Sequence, residues 1–262
     1  MPDLLTPMAA RPPAPAAPSP RETRILDYSV MVLAVVLGGG SLIIFAWTPR
    51  LVPMQLSPKA ALWWNALLSL LFFMQHSVMV RRSVRARLAA IIPARYDAAF
   101  YAISSGVVLT IVALVYQRVD APPLFVLHGL PAVIVVTAAF LAVVTFVWGV
   151  LALRTFDPLG IRPIRRHLGQ SAEAPAPATF VVVGPYRWVR HPLYFAVIVL
   201  LWTAPEMTLG RLELAVLWTA WIFVGTMLEE RDLMADFGET YREYRRQVPM
   251  LIPWRGPAKA QP

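Results

Sequence analysis

The chain has 262 residues, of which 58% are hydrophobic and 15% charged, and its formal net charge is +9. So apolar a composition excludes a water-soluble globular surface, and the absence of cysteine excludes disulfides, thiolate nucleophiles and cysteine-ligated metals. The basic residues are divided among segments between apolar blocks, which points to a lipid bilayer with anionic headgroups and away from a nucleic-acid partner.

Residues 1–24 hold seven prolines and several alanines, as in Arg11-Pro12-Pro13-Ala14-Pro15. Such a segment cannot bury a core, and a disordered tail is expected. The apolar blocks follow. Residues 28–47, 60–80, 98–116 and 131–153 contain no Asp, Glu, Lys or Arg. Each approaches the roughly 20 residues a helix needs to cross the hydrocarbon layer. Residues 193–209 and 212–228 are shorter and carry one carboxylate each, Glu206 and Glu213. They predict a tight hairpin turning around Thr208-Leu209-Gly210.

The expected fold is therefore all-α and polytopic, with about six transmembrane helices. A four-helix membrane half over 25–170 is followed by a C-terminal unit over 171–262, the two separated by a break at 171–178 that contains Pro175 and Pro177. The first span is too long for a signal-peptide core and is expected to be retained.

Counting Lys and Arg sets the orientation. With the N-terminus inside, the inner segments hold three (1–24), five (81–96), six (154–192) and six (230–262). The outer loops hold two (48–59), one (117–130) and one (210–211). The positive-inside bias then places both termini in the cytoplasm.

The densest polar feature is a collar, Gly184-Pro185-Tyr186-Arg187-Trp188-Val189-Arg190-His191-Pro192-Leu193-Tyr194, which leads into an apolar helix. Pro185 and Pro192 stiffen it, and each biases its preceding residue toward extended geometry. The helix start after Pro192 offers free N–H groups that favour an anionic ligand group. An interfacial anchor of Tyr, Trp and Arg would account for the same composition.

Glu229-Glu230 lies thirty-five residues beyond Tyr194, at the far end of the last apolar run. A hairpin would return it to the collar's side of the bilayer. Neighbours on a helix point about 100° apart, so only one of the two carboxylates can face a shared pocket. Gln75-His76 interrupts the second span, and an intramembrane histidine serves either function or an interhelical hydrogen bond. His128 and His167 fall in loops and receive no role. The four histidines show no i, i+4 pair, so no metal site is expected.

Two ordered motifs carry a resemblance. Gly184-Pro185-Tyr186 with Arg190-His191-Pro192 and Tyr194 is the first. Glu229-Glu230, Leu233, Phe237-Gly238, Tyr241, Tyr244 and Val248-Pro249 form the second. Together they resemble the integral-membrane methyltransferases related to isoprenylcysteine carboxyl methyltransferase. Gln75-His76-Ser77-Val78-Met79, Thr155-Phe156-Asp157-Pro158-Leu159-Gly160-Ile161-Arg162 and Ala204-Pro205-Glu206-Met207-Thr208 are similar to a narrower subgroup, the bacterial methanethiol S-methyltransferases.

That resemblance implies S-adenosyl-L-methionine bound on the cytoplasmic side of a bacterial inner membrane. By motif position Tyr186, Arg190, His191, Pro192, Leu193, Tyr194 and Glu229 would hold it. His191, Glu230 and His76 would be the candidate catalytic groups. Where the prenylcysteine enzymes place an arginine four residues before the first Glu, this chain has Gly225, which disfavours a carboxylate acceptor. Pro158 departs from the apolar or aromatic residue of the thiol enzymes. The function implied is methylation of methanethiol to dimethyl sulfide. A lipid amine or isoprenoid acid is the rival lipophilic acceptor, and a non-catalytic membrane accessory protein of nitrogen-oxide respiration is the rival outside enzymology.

Overall fold

A computed structural model describes residues 20–47, 52–153, 157–170 and 180–259. Residues 1–19 of the expected tail, Thr155-Phe156 and the break at 171–178 lie outside the described residues. Residues 20–24 are helical, because α1 (Pro20–Leu33) begins at Pro20. Proline suits a first helical position, where its missing N–H has no intrahelical partner.

From α1 the chain passes through a π-helical stretch (Ala34–Gly39) into α2 (Gly40–Trp47). It continues as α3 (Pro58–Met79), α4 (Arg82–Leu88), α5 (Asp97–Val115), β1 (Phe125–Val126), α6 (Leu130–Ala152) and α7 (Ile161–His167). After the collar come α8 (Pro192–Trp202), β2 (Glu206–Met207) and α9 (Leu209–Gln247). The protein is an all-α polytopic membrane protein, and helices α3, α5 and α6 match the charge-free runs to within two residues. Among the described residues, four helices are long and apolar enough to cross a membrane: Pro20–Leu42, Ala94–Val115, Leu130–Ala152 and Leu209–Gln247.

The expected fifth span is helical over only part of its apolar run, and its hairpin takes a different turn. Helix α8 has 11 residues, a length of about 16 Å against the 30 Å or so of a hydrocarbon core. Thr203 ends it by hydrogen-bonding back to Val199 and Leu200 carbonyls, and Pro205 cannot continue it. The chain then runs extended as β2, pairing antiparallel with β1 so that Phe125 faces Met207 and Val126 faces Glu206. This pairing satisfies backbone groups that a membrane could not solvate. Thr208 starts α9 instead of turning a hairpin, its hydroxyl accepting from the Arg211 N–H at 3.2 Å.

The 39 residues of the last helix do not form one straight rod: Gly238 has φ 56° and ψ −126°, and the helix breaks there. This combination is closed to residues with a Cβ, and it reverses the chain so that residues 239–247 return toward the collar.

Three apolar clusters hold the elements together. Leu68 and Phe72 of α3, Leu109 and Val112 of α5, Tyr116 and Trp218 of α9 form the main one. Ala34, Tyr96, Ala99 and Ile164 join the first helix to α5 and α7. Val182, Tyr241, Tyr244 and Val248 pack the collar's approach against the folded-back end of α9.

Candidate functional site

The collar forms one turn of 3-10 helix over Gly184–Arg187 and then enters α8. Gly184 takes a left-handed φ of 54°, which turns the chain into that helical turn. The segment after α9 clamps it. The Arg190 N–H donates to the Pro249 carbonyl at 2.9 Å, and the His191 N–H donates to the Met250 carbonyl at 3.1 Å. The Tyr244 hydroxyl donates to the Tyr186 carbonyl at 2.6 Å, and the Ala258 N–H to the Arg187 carbonyl at 2.9 Å. The apolar run at 248–254 therefore braces the collar through its backbone.

Behind this brace lies a buried ionic knot. Glu230 is buried, and its Oε1 accepts from Arg190 and lies 3.3 Å from His191 Nε2. Its Oε2 meets Arg245 Nε at 3.1 Å. Arg190 also donates to the Val248 carbonyl, tying the knot to the brace. Three cationic or polar donors around one carboxylate compensate the cost of taking it out of water.

Arg245 has no visible link to Glu230 in the sequence. Fifteen residues of straight helix would separate them by about 22 Å. The reversal at Gly238 removes that separation.

Glu229, the neighbouring carboxylate, has a different environment. Its side chain is 44% exposed, and among the described residues its ion pair is the 3.7 Å approach to His191 Nδ1. Tyr194, Tyr101 and Tyr186 all lie within its electrostatic reach. The Tyr194 ring stacks on the His191 imidazole at 5.6 Å between centroids and 7° between planes. Burial, followed by the nearby Glu229 charge, pushes the Tyr186 phenol up to about 12. The result is an acidic group lined by aromatic faces, open on one side and backed by an imidazole.

The remaining predicted residues fall as follows. Pro192 is buried at the first position of α8, and Leu193 packs against Gly149 of α6. His76 meets the cluster through a residue that sequence reasoning missed. The Tyr101 hydroxyl of α5 lies 2.7 Å from His76 Nε2 and 3.1 Å from Nδ1. His76 otherwise packs among Phe72, Tyr101 and Trp221, with ring centroids at 5.3, 5.1 and 5.3 Å. The only signal for Tyr101 was a phenol within a span otherwise free of strongly polar groups.

His167, assigned nothing from the sequence, holds Asp27 with its Nδ1 at 2.8 Å. Buried Asp27 also accepts from the Tyr96 hydroxyl and from Arg95 Nε at 3.3 Å. This second knot ties α1 to α7 at a distance from the collar. Among the described residues no group of three or more His, Asp or Glu forms a metal site.

Residues 66–244 match the family described as NnrU protein. The chain is 34% identical over 194 residues to a methanethiol S-methyltransferase of Pseudomonas deceptionensis, covering 72% of this chain and 71% of that protein. It is 36% identical over 194 residues to methanethiol S-methyltransferase 1 of Bradyrhizobium diazoefficiens, covering 73% and 66%. It is also 30% identical over 190 residues to a methanethiol S-methyltransferase of Mycobacterium tuberculosis, covering 72% and 77%. No solved structure matches.

Proposed function

Because the chain belongs to the NnrU protein family and is related to methanethiol S-methyltransferases, we propose that it is a membrane methyltransferase that uses S-adenosyl-L-methionine to methylate a small thiol. Methanethiol is the acceptor we assign, with dimethyl sulfide as the product. The observation that carries this is Glu229, a half-exposed carboxylate set among the phenols of Tyr101, Tyr186 and Tyr194 beside His191.

These residues fit the donor. A sulfonium is attracted to aromatic faces and to a carboxylate, and no arginine or lysine among the described residues pairs with Glu229 to compete for that charge. When bound, the cofactor supplies an activated methyl group. The chain supplies position. Tyr186, His191 and Tyr194 wall the site, Glu229 takes a polar or cationic group, and Glu230 holds Arg190, His191 and Arg245 in register. Glu230 was expected among the catalytic groups, and we assign it to positioning because its oxygens are already engaged. Fixing donor and acceptor in line is the main source of acceleration in such a displacement.

Gly225 supports a neutral acceptor, because the residue one turn before Glu229 brings no cation for a carboxylate. We further assign 171–262 as the methyl-transfer unit on 25–170, in a bacterial inner membrane with both termini cytoplasmic.

The test is methyl transfer from labelled cofactor by the purified protein in detergent. Dimethyl sulfide from methanethiol is the expected product, and labelled lipid in its place would move the acceptor to the lipophilic class. Titration with S-adenosylhomocysteine should give binding heat that Glu229→Gln abolishes, and a protein that binds none would remove the methyltransferase assignment.

A further inference from the structure

The reversal at Gly238 also gathers arginines. An open recess of about 390 Å³ is lined by Arg190, Arg242, Arg245 and Arg246. The last three stand three and four positions apart after the reversal, so they share one face of the returning helix. The Arg190 side chain is 8% exposed and forms the floor, while Arg242 and Arg246 are exposed and form the rim. Arg255 joins them from the following segment. Its guanidinium donates to the Arg246 carbonyl at 2.8 Å and lies 4.1 Å from the centre of the Trp254 ring.

These cations are incompletely answered by the protein. Among the described residues the carboxylates paired with them are Glu230, Glu239 and Glu243. Glu230 is buried at the floor and already committed. Glu239 and Glu243 are exposed partners of the rim, in surface pairs that contribute little and part readily. Arg245 spends one N–H on the Met234 sulfur, a weak acceptor, at 2.7 Å. Guanidinium forks match the oxygens of a phosphate, and several converging on one recess can share it. The volume lies at the small end of ligand pockets, about 300–1,000 Å³, which suits one headgroup-sized anion. Beside the arginines, Ile252 and Trp254 are exposed. Tryptophan next to basic side chains is at home at the level of lipid headgroups.

We infer that this recess binds the phosphate of an anionic phospholipid. The guanidiniums of Arg242, Arg245 and Arg246 take the phosphate oxygens, and Trp254 and Ile252 meet the apolar part of the same lipid. The site does not rest on the methyl-transfer reading, and its test reads lipid binding without any turnover.

Full-length protein, purified in detergent and stripped of lipid, is titrated with dioleoyl phosphatidylglycerol or dioleoyl phosphatidylcholine, and bound lipid is counted by native mass spectrometry. Phosphatidylglycerol should bind about tenfold more tightly or better. Arg242→Gln combined with Arg246→Gln should weaken it by about tenfold or more. Arg162→Gln combined with Arg165→Gln removes the same charge from exposed positions of α7 and should leave affinity within about twofold. Trp254→Ala should weaken phosphatidylglycerol as well, and millimolar inorganic phosphate should not displace the lipid. Should the double variant of the recess not fold, Arg242→Gln alone and Trp254→Ala carry the comparison.

Equal affinity for the two lipids, or an equal loss from the two arginine pairs, would overturn the site by reducing it to diffuse charge. Displacement by inorganic phosphate would overturn the lipid as its ligand in favour of a free phosphate. Displacement by S-adenosylhomocysteine would overturn it by giving the recess to the methyl donor.

Discussion

Arg190 and Glu230 form an ion pair in which the two side chains are only 8% and 5% exposed, and it joins the residue before the collar's histidine to the last helix across forty positions. Both partners have further contacts, Arg190 with the Arg245 and Val248 carbonyls and Glu230 with His191 and Arg245.

Removing one partner of that pair leaves the other buried and uncompensated. Arg190→Ala or Glu230→Ala should destabilise the protein by about 3–5 kcal/mol. Thermal unfolding in detergent measures it. Glu229→Gln, at a half-exposed position, should change stability by no more than about 0.5 kcal/mol while removing cofactor binding. An equal fall in melting temperature for both glutamates would contradict the separation of a positioning carboxylate from a ligand carboxylate.

Two glycines in the same helix should respond in opposite ways. Gly238 sits at φ 56°, so Gly238→Ala is strained by about 1–3 kcal/mol although open space surrounds the position. The reversal that brings Arg245 to Glu230 should loosen, and binding of S-adenosylhomocysteine should weaken with it. Gly225 is also in open space but lies inside the regular helix, where alanine is the better helix former by up to about 1 kcal/mol. Gly225→Ala should therefore match or exceed the wild-type melting temperature.

Alkaline pH should act through Tyr186. Its folded-state phenol titrates near 12, above the value of about 10 expected in an unfolded chain. Between those values the unfolded chain has lost the proton while the folded one keeps it, so stability falls as pH rises from 10 to 12 and is unaffected below that window. Unfolding midpoints measured across this range, with Tyr186→Phe as reference, should show a shallower decline in the variant.

The chain has no cysteine, so single-cysteine reporters read topology directly. The β1–β2 pairing sets the 124–127 loop beside 205–207, at the end of α8 remote from the collar. Cysteines at exposed Ile91 and Trp254 should label from one side of the membrane and a cysteine at exposed Leu124 from the other. Labelling of Leu124 and Trp254 from the same side would separate the collar from the leaflet we assign it.

Particular residues show where sequence reasoning stopped. The runs behind α5 and α6 were legible because partition into hydrocarbon depends on local composition, and a charge-free stretch of that length has few other solutions. Helix α8 was overestimated because hydropathy does not register that Thr203 and Pro205 end a helix while the chain stays apolar. The pair Asp27 and His167 stands 140 residues apart and carries no motif, so its knot had no sequence signal. Tyr101 had only its phenol to mark it, because what sets it apart is His76 on a different helix.

The order of charge-free and basic segments by itself determined that this chain is an all-helical membrane protein, and the collar and the paired glutamates stood out as the polar segments that the fold brings together. Folding alone decided how the two glutamates divide: one sealed among Arg190, His191 and Arg245, the other left facing phenols. The physical reason is the turn at Gly238. A local propensity for helix predicts a continuous rod, and only packing of Tyr241, Tyr244 and Val248 against Val182 stabilises the reversal that brings Arg245 to Glu230.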